Sequence, residues 1–197
     1  MPPESSARRL VVAVTGTPGT GKSTFAKMLS KAVRGSSVIE INDVARVLGL
    51  YTGRTWHGSR EVQVRRLAQA VKKRVSMAGG LVLVVGHLAP DLGIKCDIAV
   101  VTRLSLRKLE SRLKLRHYHA EKMRENLISE ALDYCGTAMS RACSELYEIE
   151  GAAEARTVAA YITKRAEGVS AAKPKLRAHD KVREIMGMVA NGNPYGL

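Results

Sequence analysis

A single run, VVAVTGTPGTGKSTFAKML from Val11 to Leu29, leaves few architectures open to this chain. Its first residues form a short apolar stretch of the kind buried in a sheet, and its last carry Phe25, Met28 and Leu29 at helical spacing. Between the two, Gly16, Gly21, Lys22 and Ser23 satisfy the pattern G-x-x-x-x-G-K-[ST]. The glycines allow backbone conformations closed to other residues, so that successive N–H groups can close on phosphate oxygens. The helix beginning near Lys22 adds unpaired amides and the positive end of its dipole. In such a turn Lys22 reaches the β and γ phosphates, the Ser23 hydroxyl ligates Mg²⁺ and Thr24 donates to the α phosphate, while Gly19, Thr20 and Gly21 complete the cradle. The run therefore predicts a site for ATP or a similar nucleoside triphosphate on a strand, loop and helix.

The remainder of the chain repeats that alternation. SSVIEIN, 36 to 42, reads as a second strand, and LVLVV, 81 to 85, as a central parallel strand buried on both faces. DIAVVT, 97 to 102, and ELYEI, 145 to 149, read as two more. Val64, Leu67, Ala68, Val71 and Val75 mark a helix within 60 to 78 that stops at Gly79 and Gly80, and Leu106, Leu109 and Leu113 mark another. A long helix is expected from Glu121 to about Glu145, and a last one from about Ala153 to Arg165. Five short strands with helices between them predict an α/β fold: a three-layer, doubly wound parallel sheet with helices on both faces. After about Glu167 the chain turns polar and basic, which predicts a partly flexible tail over 167–197, with VREIMGMV at 182 to 189 able to form one or two helical turns.

At 197 residues the chain suits one catalytic or binding module, here 1–166, rather than two enzymatic domains. No apolar run approaches the about 18 residues of a membrane span, and MPPESSARRL lacks the apolar region of a signal peptide, so a cytoplasmic protein is expected. Cys96, Cys135 and Cys143 are odd in number and never spaced C-x-x-C, which argues against a disulfide framework or a zinc site and predicts reduced, buried thiols, with Cys135 and Cys143 on one helical stripe. The net charge of +14 favours an anionic partner. Residues 60 to 78 hold six basic side chains and one acidic, residues 103 to 125 eight and three, and residues 163 to 197 seven and three. Any one such segment is more often a solvated face than a binding site; together they make nucleic acid a plausible partner.

With those landmarks in order the chain resembles the adenylate kinases, and more narrowly the short isoenzyme 6 type, whose archaeal and eukaryotic nuclear members are linked to maturation of the small ribosomal subunit. The resemblance spans about Val11 to Ile162. TGTPGTGKST is similar to the family's P-loop, and INDVARVLGLY, 41 to 51, to the start of its nucleoside monophosphate region, here about 40–63, with Asp43, Leu50 and Tyr51 in register. VVGHLAPDL, 84 to 92, resembles the second nucleotide motif with its histidine, here His87. RLSLRKLESRLKLRHYHAEKMREN, 103 to 126, looks like the arginine-bearing helix and a short lid at about 115–125. It carries Tyr118, Lys122 and Asn126 at family-like positions.

The resemblance implies transfer of a phosphoryl group from Mg·ATP to AMP or a related nucleoside monophosphate. Lys22 would serve the donor, Arg116 would close over it with Arg112 or Arg103 behind, and His87 would contact phosphate or water in the cleft. It also implies ATPase activity and contact with a small-subunit ribosomal protein and rRNA, and a nuclear location only if the source is eukaryotic. Two departures stand out. Val85 occupies the position, two before the histidine, where the family carries an acid that helps hold Mg²⁺ and orients a hydrolytic water; Asp91, Asp97 and Asp43 are the possible substitutes. Hydrolysis should suffer more than transfer to AMP, whose phosphate needs no base. The loop IEGAAEA also differs from the family's threonine-rich loop near adenine. His57, His117, His119 and His179 show no ligand spacing. Beside the kinase reading stand a nucleotide-dependent assembly factor with secondary kinase activity, and a kinase of another acceptor such as CMP or a nucleic-acid end.

Overall fold

A computed structural model of the chain describes residues 9–54 and 60–176. Five parallel strands form one sheet in the order β2 (Ser37–Glu40), β5 (Leu81–Val85), β1 (Leu10–Thr15), β6 (Cys96–Thr102), β7 (Cys143–Ile149). β1 lies at the centre, pairing Val14 with Val85 on one side and with Val100 on the other. β1 from Leu10 to Val14, β5 throughout and β6 from Ile98 to Val101 are apolar because both faces are covered. Val11, Ala13, Val82 and Val84 face one layer, built on α2 (Ile41–Val47), α3 (Val64–Met77) and α6 (Tyr134–Met139). Leu10, Val12, Val14, Leu83 and Val85 face the other, built on α1 (Lys22–Ala32) and α7 (Ala152–Ala166). α4 (Leu106–Leu115) and α5 (Ala120–Ala131) pack on each other through Leu109, Leu113, Met123 and Leu127 as a separate arm. The chain leaves β1 toward β2 on one side and later returns to β6 on the other. The strand order thus reverses at β1, and the crevice beyond its carboxyl end is where such sheets take ligands.

Three features differ from the sequence expectations. The long helix is broken: α5 ends at Ala131, Asp133 adopts a left-handed conformation (φ 51°) and its carboxylate caps α6 by accepting the Gly136 amide at 3.1 Å. Apolar spacing continues past this break, which is why it was invisible in the pattern. Cys143 consequently opens β7 instead of lying on a helical stripe, while Cys135 is free and buried as expected. Cys143 is the register partner of Cys96, their Cα atoms are 4.7 Å apart, and the two form a disulfide, correcting the expectation of three reduced thiols. The 47-residue separation carries no spacing signal; only the β6–β7 pairing brings them together. Third, β3 (Tyr51–Arg54) and β4 (Arg60–Val62) pair antiparallel with Tyr51 opposite Val62, strands the pattern did not announce, while the helix expected within 60 to 78 is α3. Ile41 and Asn42, read as strand, begin α2.

Beyond α7 the described chain to Leu176 folds back. The Val169 amide donates to the Lys164 carbonyl, Ala171 and Leu176 pack on the α1–α7 layer, and Lys173 approaches Glu145 at 3.4 Å. The possible helical turn at 182–189 lies outside the described residues, as do His57 and His179.

Candidate active site

The turn after β1 wraps the carboxyl end of the central strand. Gly16 has φ 136° and passes so close to β6 that a Cβ there would stand 2.4 Å from the Thr102 carbonyl oxygen. Gly21 caps α1 at φ 112°, a conformation that leaves the amides of the helix's first turn facing the crevice. The loop is braced from three directions. Thr20 is buried, with Oγ1 donating to the Thr17 carbonyl at 2.8 Å and lying 2.6 Å from Thr102 Oγ1. Arg112 Nη1 on α4 donates to the Gly19 carbonyl at 3.0 Å. Thr17 Oγ1 donates to Glu130 Oε2 on α5 at 2.7 Å, and Glu130 is only 1% exposed.

Lys22 Nζ donates to the carbonyls of Gly16 and Thr17 at 2.9 and 3.0 Å. Burial lowers its pKa to about 8, with the charge of Arg116 adding to the effect, so the ammonium sits where an anion would be welcome. A cavity of about 260 Å³ opens in front of it, lined by Gly19, Gly21, Lys22, Ser23, Thr24, His87 and Arg116 together with Pro18, Asn42 and Tyr118. Of the residues predicted to hold the nucleotide, Gly19, Gly21, Lys22, Ser23, Thr24, His87 and Arg116 meet in this cavity, whereas Gly16, Thr20, Arg112 and Arg103 do not line it. Thr20 lines a second hollow of about 340 Å³ on the other side of the α1 N-terminus, with Phe25, Met28, Arg112, Ile149 and Arg156.

The arginines of the α4 segment separate by role. Arg116, exposed at the carboxyl end of α4, lines the cavity in front of Lys22, and Arg112 holds the loop. Arg103 does not back them up as expected: it is 3% exposed and held by Asp133 at 2.8 Å, Glu148 at 3.6 Å and Glu130 at 3.7 Å. His87, half-buried just after β5, has its pKa lowered to about 4 by burial and by Lys22, so it is neutral at pH 7 and offers one donor and one acceptor.

None of the three aspartates suggested as substitutes for the acid missing at Val85 lies free at the crevice. Asp97 Oδ2 accepts the Val11 amide at 2.7 Å, at the opposite end of the sheet. Asp91 accepts from the Tyr134 hydroxyl, and Asp43 is exposed in a 2.9 Å pair with Arg46. Two functional candidates escaped the sequence reading. Glu130 is one. The other is Glu40, the last residue of β2, whose carboxylate stands beside Ser23 and whose pKa is raised by burial and by Asp43. An acid closing a strand at the carboxyl edge of a parallel sheet was its only signal. Among the described residues no three His, Cys, Asp or Glu side chains cluster as a metal site, and no helix is long and apolar enough to cross a membrane.

This sheet order and glycine loop define a P-loop protein of the small-kinase type. Residues 12–133 match the family described as "AAA domain". Proteins named "Putative adenylate kinase" are 35% identical over 142 residues in Methanothermobacter thermautotrophicus, covering 72% of this chain and 75% of the relative, and 36% identical over 141 residues in Archaeoglobus fulgidus, covering 72% of each. Among solved structures, the shikimate kinase of Acinetobacter baumannii with shikimate superposes at a TM-score of 0.53 with 17% identity over 83% of this chain and 94% of that one. The Deinococcus radiodurans tunicamycin resistance protein does so at 0.52 with 18% identity over 85% and 100%. These two share the fold. The chain belongs to the archaeal adenylate kinase-like family of P-loop proteins and is an ATP-using phosphotransferase, a nucleotide kinase.

Proposed function

We propose that this protein is a broad-specificity nucleoside monophosphate kinase converting Mg·ATP and AMP to two ADP. The observation that carries the reading is the meeting of Lys22, Ser23, His87 and Arg116 in one cavity at the carboxyl end of the central strands. The relatives' name supplies the acceptor. Phosphoryl transfer asks the protein chiefly to hold two anions in line and to neutralise charge as it spreads over the moving group. In this reading Lys22 exchanges its two carbonyl partners for β and γ phosphate oxygens, and the first-turn amides of α1 close on the same group. Arg116 comes over the moving phosphoryl from the α4–α5 connection, where residues 115–125 act as a lid that excludes water. The hollow beside Phe25, Met28 and Ile149 takes the adenosine of ATP.

Mg²⁺ prefers oxygen ligands and keeps several waters. The residues at the foot of the cavity fit it, since the Ser23 hydroxyl lines it and the Glu40 carboxylate stands beside Ser23 at the end of β2. Bound with the nucleotide, it would neutralise charge on the β and γ oxygens. His87, neutral, orients phosphate or water without adding charge. AMP arrives already ionised and needs no base, so transfer exceeds the ATPase side reaction, which the valine at 85 disfavours.

A second reading, a nucleotide-dependent assembly factor for the small ribosomal subunit that contacts a ribosomal protein and rRNA, draws its support from the net charge of +14 and the basic tail. A coupled assay of ADP formation with ATP alone, with AMP and with CMP separates the readings. AMP should raise turnover many-fold over ATP alone. Turnover indifferent to any monophosphate would overturn the kinase reading. Retention on rRNA that is lost as salt rises, with and without residues 167–197, tests the second.

A further inference from the structure

The acid absent from β5 has a counterpart on the neighbouring strand. Glu40 is the register partner of Val85 in the parallel β2–β5 pair, so the two side chains leave the sheet on the same face. Its neighbour Ile39 packs on the α2–α3 side, which puts Glu40 on the α1 side, where Val85 packs with Phe25 and Leu29. That face lies beneath the start of α1. The Ser23 hydroxyl and the Lys22 and Lys27 charges, all on the first turns of α1, stand close enough to act on the Glu40 carboxylate. A carboxylate at position 85 and one at position 40 would thus serve the same corner of the cavity from adjacent strands.

We propose that Glu40 is the carboxylate that holds the nucleotide-bound divalent cation in this protein, acting beside Ser23 from the end of β2 in place of the acid missing from β5. The inference rests on the kinase reading, because it presumes a triphosphate in the P-loop. Mg²⁺ is commonly held by one or two carboxylates and by waters that such groups orient, and a carboxylate beside a ligand hydroxyl is placed to do either. Asp43, three residues on, cannot take this part: its side chain is 60% exposed and engaged by Arg46.

Mn²⁺, followed by electron paramagnetic resonance, is the probe, together with a non-hydrolysable ATP analogue whose affinity is measured with and without metal. Glu40→Gln should weaken Mn²⁺ binding in the analogue complex about tenfold or more, the usual effect of losing a group that orients a metal's ligands, and leave the metal-free affinity within about twofold. Asp43→Asn should change neither. Wild-type Mn²⁺ affinity in Glu40→Gln would overturn the proposal. If Glu40→Gln also loses the metal-free analogue, Glu40→Asp decides: Mn²⁺ held at near wild-type affinity supports the role, and Mn²⁺ lost overturns it. Failure of the wild-type protein to bind the analogue would instead refute the kinase reading, so the two failures are distinguishable.

Discussion

Two segments of this chain carry the same excess of positive charge and use it in opposite ways. On α3, Arg65, Arg66, Lys72, Lys73 and Arg74 are all exposed and line neither nucleotide cavity. On the α4 segment, Arg103 is buried among three acids, Arg112 grips the P-loop and Arg116 faces the cavity. The difference comes from the sheet. α3 runs back beneath β2 and β5 toward their amino ends, whereas α4 follows β6 directly, at the carboxyl edge where the loop after β1 also emerges. A charge tally cannot separate the two; the side of the sheet on which the charge stands does.

The contrast breaks most visibly at Lys22. Lys22→Ala should lower kcat by about a thousandfold, the scale of removing one donor aimed at developing charge, while Lys72→Ala on α3 should stay within about twofold. Steady-state kinetics with AMP as acceptor measures both. An equal effect at the two positions would refute the division. Next in size, Glu130→Gln should cost about 3 kcal/mol in urea unfolding, because it strips the buried Arg103 cluster of a charge and loosens Thr17. An exposed partner pair such as Lys122 and Glu125 should be worth less than about 1 kcal/mol. Arg116→Ala should then reduce kcat about a hundredfold with little change in the KM for ATP, since its contact strengthens only as the phosphoryl group moves. Arg66→Ala should leave both constants alone.

How much of this was readable beforehand varied with the range of the interaction. β1, β5 and β6 announced themselves through runs of four or five apolar residues, and the glycine loop located the phosphate cradle, because both signals are local. The α5–α6 break hinged on the left-handed Asp133, whose neighbours keep helical spacing, and the Cys96–Cys143 pair on a strand register that no spacing encodes. Arg103, Arg112 and Arg116 looked alike in one basic segment until the partners each one reaches set them apart. Glu40 needed the β2–β5 register to be seen beside Val85, and Glu130 needed the fold to bring α5 under a loop 113 residues away.

The smallest expected effects are in pH, and here too the two sides of the comparison divide. The folded pKa of Lys22 lies near 8, below the value of about 10.4 for a free lysine, so raising pH through 8 removes its proton in the empty protein. Affinity for a metal-free ATP analogue should therefore fall above pH 8, and the fall should vanish in Lys22→Ala but persist in Lys72→Ala. His87 is shifted the other way relative to neutrality, to about 4 from an ordinary 6.5. Between those values the unfolded chain binds the proton and the folded chain does not, so stability rises with pH across that window and is lost as pH drops from about 6.5 toward 4. Replacing His87 by asparagine should flatten part of that acid slope in thermal unfolding and leave the slope above pH 7 intact. An unchanged acid slope would mean that the imidazole accepts its proton in the cavity, where a cation beside Lys22 should cost most.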